Sequence, residues 1–154
     1  MRLKLSFTAK VSVRPARRED LQEVLKVEYS CFKDPYPLDL LVHLQETNPL
    51  SFLVAEVGGR IIGYIIGTVR WMNVGHVLAI GVDPQHRRKG VGTALMESLM
   101  NYFRKRGVSK VRLEARESNW EARRFYSSLG FSEVGKVPYY YSDGETAILF
   151  EREI

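Results

Sequence analysis

Apolar and polar positions along the chain repeat with two periods, and the points where the period changes divide it into elements. Lys10 to Arg14 alternates as a strand does. Behind Arg18-Glu19-Asp20, the residues Leu21, Val24, Leu25 and Val27 fall on one helical face. Pro35-Tyr36-Pro37 ends that helix, because proline lacks a donor and restricts the residue before it. A second short helix is predicted over 38–45. The apolar runs 51–57 and 61–69 flank Gly58-Gly59 and read as a hairpin. Gly75 to Val82 is a short apolar run closed by Asp83-Pro84, the mark of a buried strand. After it Val91, Leu95, Leu99 and Tyr102 return at helical spacing, and Gly107 follows the basic turn Arg104-Lys105-Arg106 as a left-handed stop. A strand near 108–115, a helix over 119–129 and strands at 131–137 and 145–152 complete the order.

That order is strand, two helices, three strands, helix, strand, helix, two strands. Such an alternation needs a mixed α/β architecture, a mixed sheet covered by helices on both faces. With 154 residues, 45% of them hydrophobic, and only short polar connectors, the chain is sized for one domain over 1–154, with 1–9 as a short N-terminal extension. Those first residues mix charge into a short apolar stretch and do not read as a signal peptide, and no apolar run is long enough to span a bilayer. Cys31 is the only cysteine, which excludes an internal disulfide and a zinc site built mainly from cysteines. No metal is expected, and the expected location is the cytoplasm. The net charge of +5 raises nucleic acid as a partner. The basic clusters at 14–18, 87–89, 104–106 and 123–124 are dispersed, however, and apart from the central one they read as solvated surface.

The central cluster, Arg87-Arg88-Lys89-Gly90-Val91-Gly92, lies between the run ending at Val82 and the helix carrying Leu95. The first N–H groups of a helix lack intrahelical partners and its dipole is positive there, so an anion is welcome. Glycines let phosphate oxygens approach the backbone, and the cations supply charge-assisted bonds. The P-loop ending Gly-Lys-Ser/Thr is absent, and the dinucleotide fingerprint needs a third glycine where Leu95 stands. The segment resembles motif A of the GNAT superfamily of acetyl-CoA-dependent N-acetyltransferases, with Arg87, Gly90 and Gly92 on its pattern. The element order is similar to the GNAT fold over nearly the whole chain. The resemblance implies a mixed central sheet of about seven strands, with two central parallel strands splayed apart. It also implies that acetyl-CoA is bound by Ile80, Gly81 and Val82 on the strand and by Arg87, Arg88, Lys89, Gly90, Val91, Gly92 and Thr93 at the loop, with coenzyme A as product.

A second constellation follows at the family's interval. Asn119, Ala122, Tyr126 and then Gly130-Phe131 resemble the GNAT pattern Asn-x-x-Ala-x-x-x-Tyr followed by Gly-Phe. Read from the residues, Ser118 with Glu121 forms a capping box, or Asn119 itself caps the helix. Ala122, Phe125 and Leu129 share a core face, with Tyr126 at its edge. The resemblance adds a cofactor contact for Asn119. It makes Tyr126 the general acid for the departing thiolate, a role that a phenol with an ordinary pKa of about 10 permits. Glu114 alternates out of the apolar face of its strand and matches the catalytic glutamate of Rim-type ribosomal-protein-alanine acetyltransferases. His76 matches a position occupied by histidine or tyrosine in Ard-type enzymes. The two are expected to share base duty through water, with Glu114 the stronger claim.

An α-amino group, with a pKa of about 7.7 to 8.0, is roughly 10 to 20% neutral at pH 7, against about 0.04% for a lysine. A modest base suffices for the former. Phe32, Pro35 and Tyr36 belong to an aromatic, proline-rich loop suited to gripping a peptide end, and its pattern is closer to the Rim type. Tyr139, Tyr140 and Tyr141, followed by Ser142-Asp143-Gly144-Glu145, closely resemble the Tyr-Tyr-Ala-Asp-Gly-Glu stretch of Ard-type protein Nα-acetyltransferases. The expected activity is acetyl transfer to protein or peptide N-termini, ribosomal proteins among them. The alternatives are acetylation of a small amine or internal lysine, or a non-catalytic CoA-binding or nucleic-acid-binding module.

Overall fold

Seven strands form one sheet in the order β1-β2-β3-β4-β5-β7-β6, in a computed structural model that describes residues 10–154. The extension 1–9, and the reading that it is no signal peptide, lie outside the described residues. The elements are β1 (Ser12–Pro15), α1 (Leu21–Cys31), α2 (Leu38–Thr47), β2 (Phe52–Val57), β3 (Arg60–Arg70), β4 (Val74–Val82), α3 (Val91–Lys105), β5 (Lys110–Arg116), α4 (Trp120–Ser128), β6 (Ser132–Val137) and β7 (Ala147–Glu153). The predicted order and the mixed sheet are both found. The chain divides into two compact units, one running to Gly67 and including Ala79–Tyr102, the other made of Thr68–Leu78 and Phe103–Ile154.

In the first unit, β2 pairs antiparallel with β1 and β3. Gly58 and Gly59 turn the hairpin with φ of 55° and 80°, the pair of positive values that a two-residue turn matching strand twist requires. Leu21, Val24 and Val27 of α1 are buried as predicted, while Leu25 is only half-buried. The helix ends at Cys31 and leaves Pro37 to open α2 instead, where its fixed φ fits the entry. β3 lies against α3 through Gly63, where a Cβ would come within 3.1 Å of the Gly81 carbonyl oxygen and 3.2 Å of Leu95 Cδ1.

In the second unit, β4 and β5 run parallel, paired only at Val74↔Lys110, Gly75↔Val111 and His76↔Arg112. Both strands run on past that last rung without continuing the ladder, β4 to Val82 and β5 to Arg116. On its other side β5 pairs antiparallel with β7 over its whole length, from Lys110↔Glu153 to Arg116↔Ala147. Two core positions differ from the periodicity. Phe103, not Tyr102, closes the α3 stripe, because Gly75 leaves the space for its ring: a Cβ there would lie 2.8 Å from Phe103 Cε2. On α4 it is Tyr126 that is buried, at 8% exposure, while Ala122, Phe125 and Leu129 are half-buried. Its ring packs edge-on against Phe131 and Phe150, with centroids 6.2 and 5.6 Å away.

Candidate active site

The glycine loop belongs to the first unit. Asp83 closes β4 and accepts the Gln85 N–H at 3.0 Å, starting a short turn over Pro84–His86. Arg88 and Gly90 then take positive φ, 62° and 84°. The Gly90 carbonyl accepts the Ala94 N–H at 3.0 Å, so α3 begins there with its first N–H groups outside the intrahelical ladder. A Cβ built on Gly90 would meet nothing within 4 Å. The position therefore needs glycine for its φ, and the space above its backbone is open to a ligand. Arg87, Arg88 and Lys89 are exposed, but the three cations differ in role. Arg87 turns back, donating from Nε to the Val82 carbonyl at 3.0 Å and from Nη2 to Cys31 Sγ at 3.2 Å. It braces the loop against the ends of β4 and α1. A helix start, open glycine backbone and exposed cations fit a pyrophosphate.

Ile80, Gly81 and Val82 form the end of β4, and Gly81 lets the Tyr64 ring lie against it, since a Cβ would stand 2.8 Å from Tyr64 Cε1. The Tyr64 hydroxyl donates to Glu28, a carboxylate with only 2% exposure that the apolar stripe of α1 did not reveal. Glu28 also accepts the Tyr36 N–H at 2.8 Å and so ties down the loop of Phe32, Pro35 and Tyr36. Burial raises its pKa, against the opposing effect of the two hydrogen bonds it accepts.

The second unit gathers the acid–base groups. His76 Nε2 lies 2.9 and 3.1 Å from the two oxygens of Glu114, so the two residues expected to share base duty are in direct contact with each other. On the other side of the ring, Arg70 Nε donates to His76 Nδ1 at 3.0 Å. Sequence reasoning passed over Arg70, a charged residue at the exposed end of an apolar strand with nothing nearby in sequence to mark it. Burial raises the pKa of Tyr126, Tyr140 and Tyr141 and the charge of Glu114 adds to each rise, so one carboxylate and three phenols share a neighbourhood. Tyr126 stands well above the usual range, mainly through burial, and Tyr141 is pushed up to about 12, again mainly through burial. All three hold their protons at neutral pH.

The tyrosine loop is fastened by Arg116, a second residue the sequence reading missed. Its Nη1 donates to Asp143 Oδ2 and Glu145 Oε1, each at 2.9 Å, and its guanidinium stacks 4.3 Å over the Tyr141 ring. Glu145 accepts the Ser118 N–H at 2.8 Å, and its pKa falls because of its bonds to Ser118 and Arg116. Tyr140 and Tyr141 meet edge to face at 5.0 Å, while Tyr139 is 86% exposed with φ of 59°. Asn119 Oδ1 accepts the Ala122 N–H at 3.1 Å, so Asn119 caps α4, not Ser118. Among the described residues no helix is long and apolar enough to cross a membrane, and no cluster of His, Cys, Asp and Glu could hold a metal ion.

Residues 18–131 match the model of the Acetyltransferase (GNAT) family. The chain is 41% identical over 138 residues to an uncharacterized N-acetyltransferase of Methanocaldococcus jannaschii, covering 89% of this chain and 88% of that one. It is 37% identical over 150 residues to an N-alpha-acetyltransferase of Sulfurisphaera tokodaii, covering 89% of each. Among solved structures, Ard1 from Thermoplasma volcanium matches with a TM-score of 0.90 at 33% identity, over 94% of this chain and 97% of that one.

Proposed function

This chain belongs to the acetyltransferase (GNAT) family, and on that footing we propose that it acetylates the N-terminal α-amino group of proteins or peptides, with acetyl-CoA as donor. The observation that carries the reading is the Glu114 carboxylate, held by His76 and sharing its surroundings with Tyr126, Tyr140 and Tyr141. The relatives named N-alpha-acetyltransferase support it.

Acetyl-CoA supplies an activated thioester. Its pyrophosphate is assigned to the backbone N–H groups and exposed cations of Arg87 to Thr93, its carbonyl to N–H groups of Ile80 to Val82, and a further contact to Asn119. Glu114 accepts the proton that the attacking amine loses. Tyr126 holds a proton at Oη for the departing sulfur, and the dry surroundings that keep it there also disfavour a free thiolate. Tyr139, Tyr140 and Tyr141 are assigned to the acceptor peptide. Phe32, Pro35 and Tyr36, whose loop is anchored by Glu28, are assigned to the acceptor as well. Protein N-termini of the cytoplasm, ribosomal proteins included, are the proposed acceptors.

The test is acetyl-CoA turnover on a panel of peptides with free and with blocked N-termini. Activity confined to free N-termini is expected. Equal turnover of blocked, lysine-containing peptides would overturn the α-amino assignment.

A further inference from the structure

We propose that Arg70 is a positioning residue, which fixes His76 as a neutral Nε2–H donor to Glu114 and leaves Glu114 alone to accept the substrate proton. A guanidinium carries donors only. Its Nε lies 3.0 Å from His76 Nδ1, so that ring nitrogen must be the acceptor and bears no hydrogen. The single proton of a neutral imidazole then sits on Nε2, facing both Glu114 oxygens at 2.9 and 3.1 Å. Both ring nitrogens are committed, and no lone pair remains on His76 to take a proton from an amine or a water. The other tautomer would set two hydrogens face to face at Arg70 and turn a lone pair toward the carboxylate. An imidazolium would suffer the first of these clashes beside a fixed positive charge.

The fold builds this chain from three segments. Arg70 ends β3, the short turn Trp71–Asn73 follows with Asn73 at φ of 58°, and His76 sits on the last rung of the parallel ladder, opposite Arg112. Glu114 is the next residue along β5 on the face that Arg112 shares. Tyr140 also lies within reach of these charges: burial raises the pKa of its hydroxyl, Glu114 adds to the rise and Arg70 opposes it. His76 and Glu114 keep only 15% and 20% side-chain exposure, whereas Arg70 is exposed, so replacing it leaves the core intact. His76 thus orients a carboxylate, in the way that a partner behind a reacting group sets its direction.

The tautomer can be read directly by long-range ¹H–¹⁵N correlation of histidine-labelled protein, with the His76 signals identified by their loss in His76→Gln. The wild-type ring is expected as the Nε2–H tautomer, and Arg70→Met should mix in the Nδ1–H or doubly protonated form. The kinetic arm rests on the acetyltransferase reading. In it Arg70→Met should lower kcat about tenfold with the acetyl-CoA KM unchanged, and Arg70→Lys, which still donates, should recover most of that loss. An Nδ1–H tautomer in the wild type overturns the proposal, as does an Arg70→Met protein whose tautomer or kcat stays unchanged. A protein that acetylates nothing while showing the Nε2–H tautomer and its response to Arg70→Met would sink the functional reading and leave the hydrogen-bond assignment standing.

Discussion

The glycine loop of the first unit and the His76–Glu114 cluster of the second do their work by different means. The loop is a contiguous stretch whose chemistry is carried by backbone: a positive φ at Gly90, unshared N–H groups at the start of α3, and no Cβ in the way. The cluster is carried by side chains from separated segments, brought together by a short parallel ladder and a fastened loop. A backbone site tolerates changes of side chain but not of conformation. A side-chain site is the reverse, and substitutions should sort accordingly.

The largest effect is expected at the loop. Gly90→Glu forces a residue with a Cβ and a negative charge into φ of 84° and into the open space where the pyrophosphate is assigned. CoA affinity measured by calorimetry should fall by more than about 100-fold; normal affinity would show the cradle to be elsewhere. Next comes Glu114→Gln, which should lower kcat by roughly 100-fold or more while CoA affinity is kept, because the change touches one proton acceptor and no backbone. Tyr126→Phe should lower kcat by about tenfold or more with the same affinity, and an unchanged kcat would remove the phenol from the scheme.

Arg116→Ala probes the fastening itself. It removes the bonds to Asp143 and Glu145 and the stacking on Tyr141. Hydrogen exchange in residues 138–146 should quicken and the peptide KM should rise several-fold, on the order of fivefold, with the acetyl-CoA KM unmoved. The smallest effect lies at the staple of Asp20, which accepts from Arg14 at 2.7 Å and from the Arg17 N–H at 2.7 Å. Its pKa is lowered, chiefly by Arg14, so its stabilising contribution is present above the unfolded value and is lost as pH falls through the folded one. Asp20→Asn should cost about 1 kcal/mol in urea unfolding at pH 7, with the difference from wild type shrinking below about pH 4. Activity should not change, and a change would tie this staple to the site.

The contrast between the two sites also explains what the sequence could tell. Period and turn residues reveal the elements, and a contiguous loop reveals itself with them. The partner of a buried ring is not encoded in its own helix. Phe103 displaces Tyr102 from the α3 stripe because of a glycine on β4, and Tyr126 is drawn under Phe131 and Phe150, residues of other segments. His76 and Glu114 were legible singly, through resemblance, but their contact depends on strand register. Arg70 and Arg116 were not legible at all, since an arginine at a strand end has no local pattern that separates a brace from a solvated charge.

Glu28 holds its loop by the amide of Tyr36, not by the side chain. In Pro35-Tyr36-Pro37 only the middle residue has an N–H to give, so the path of that loop is pinned at the one position flanked by two imino acids. Nineteen of the common amino acids can stand there and keep the bond; a third proline cannot. The ring or chain at residue 36, the position assigned to the acceptor, can thereby vary while the course of the loop stays fixed.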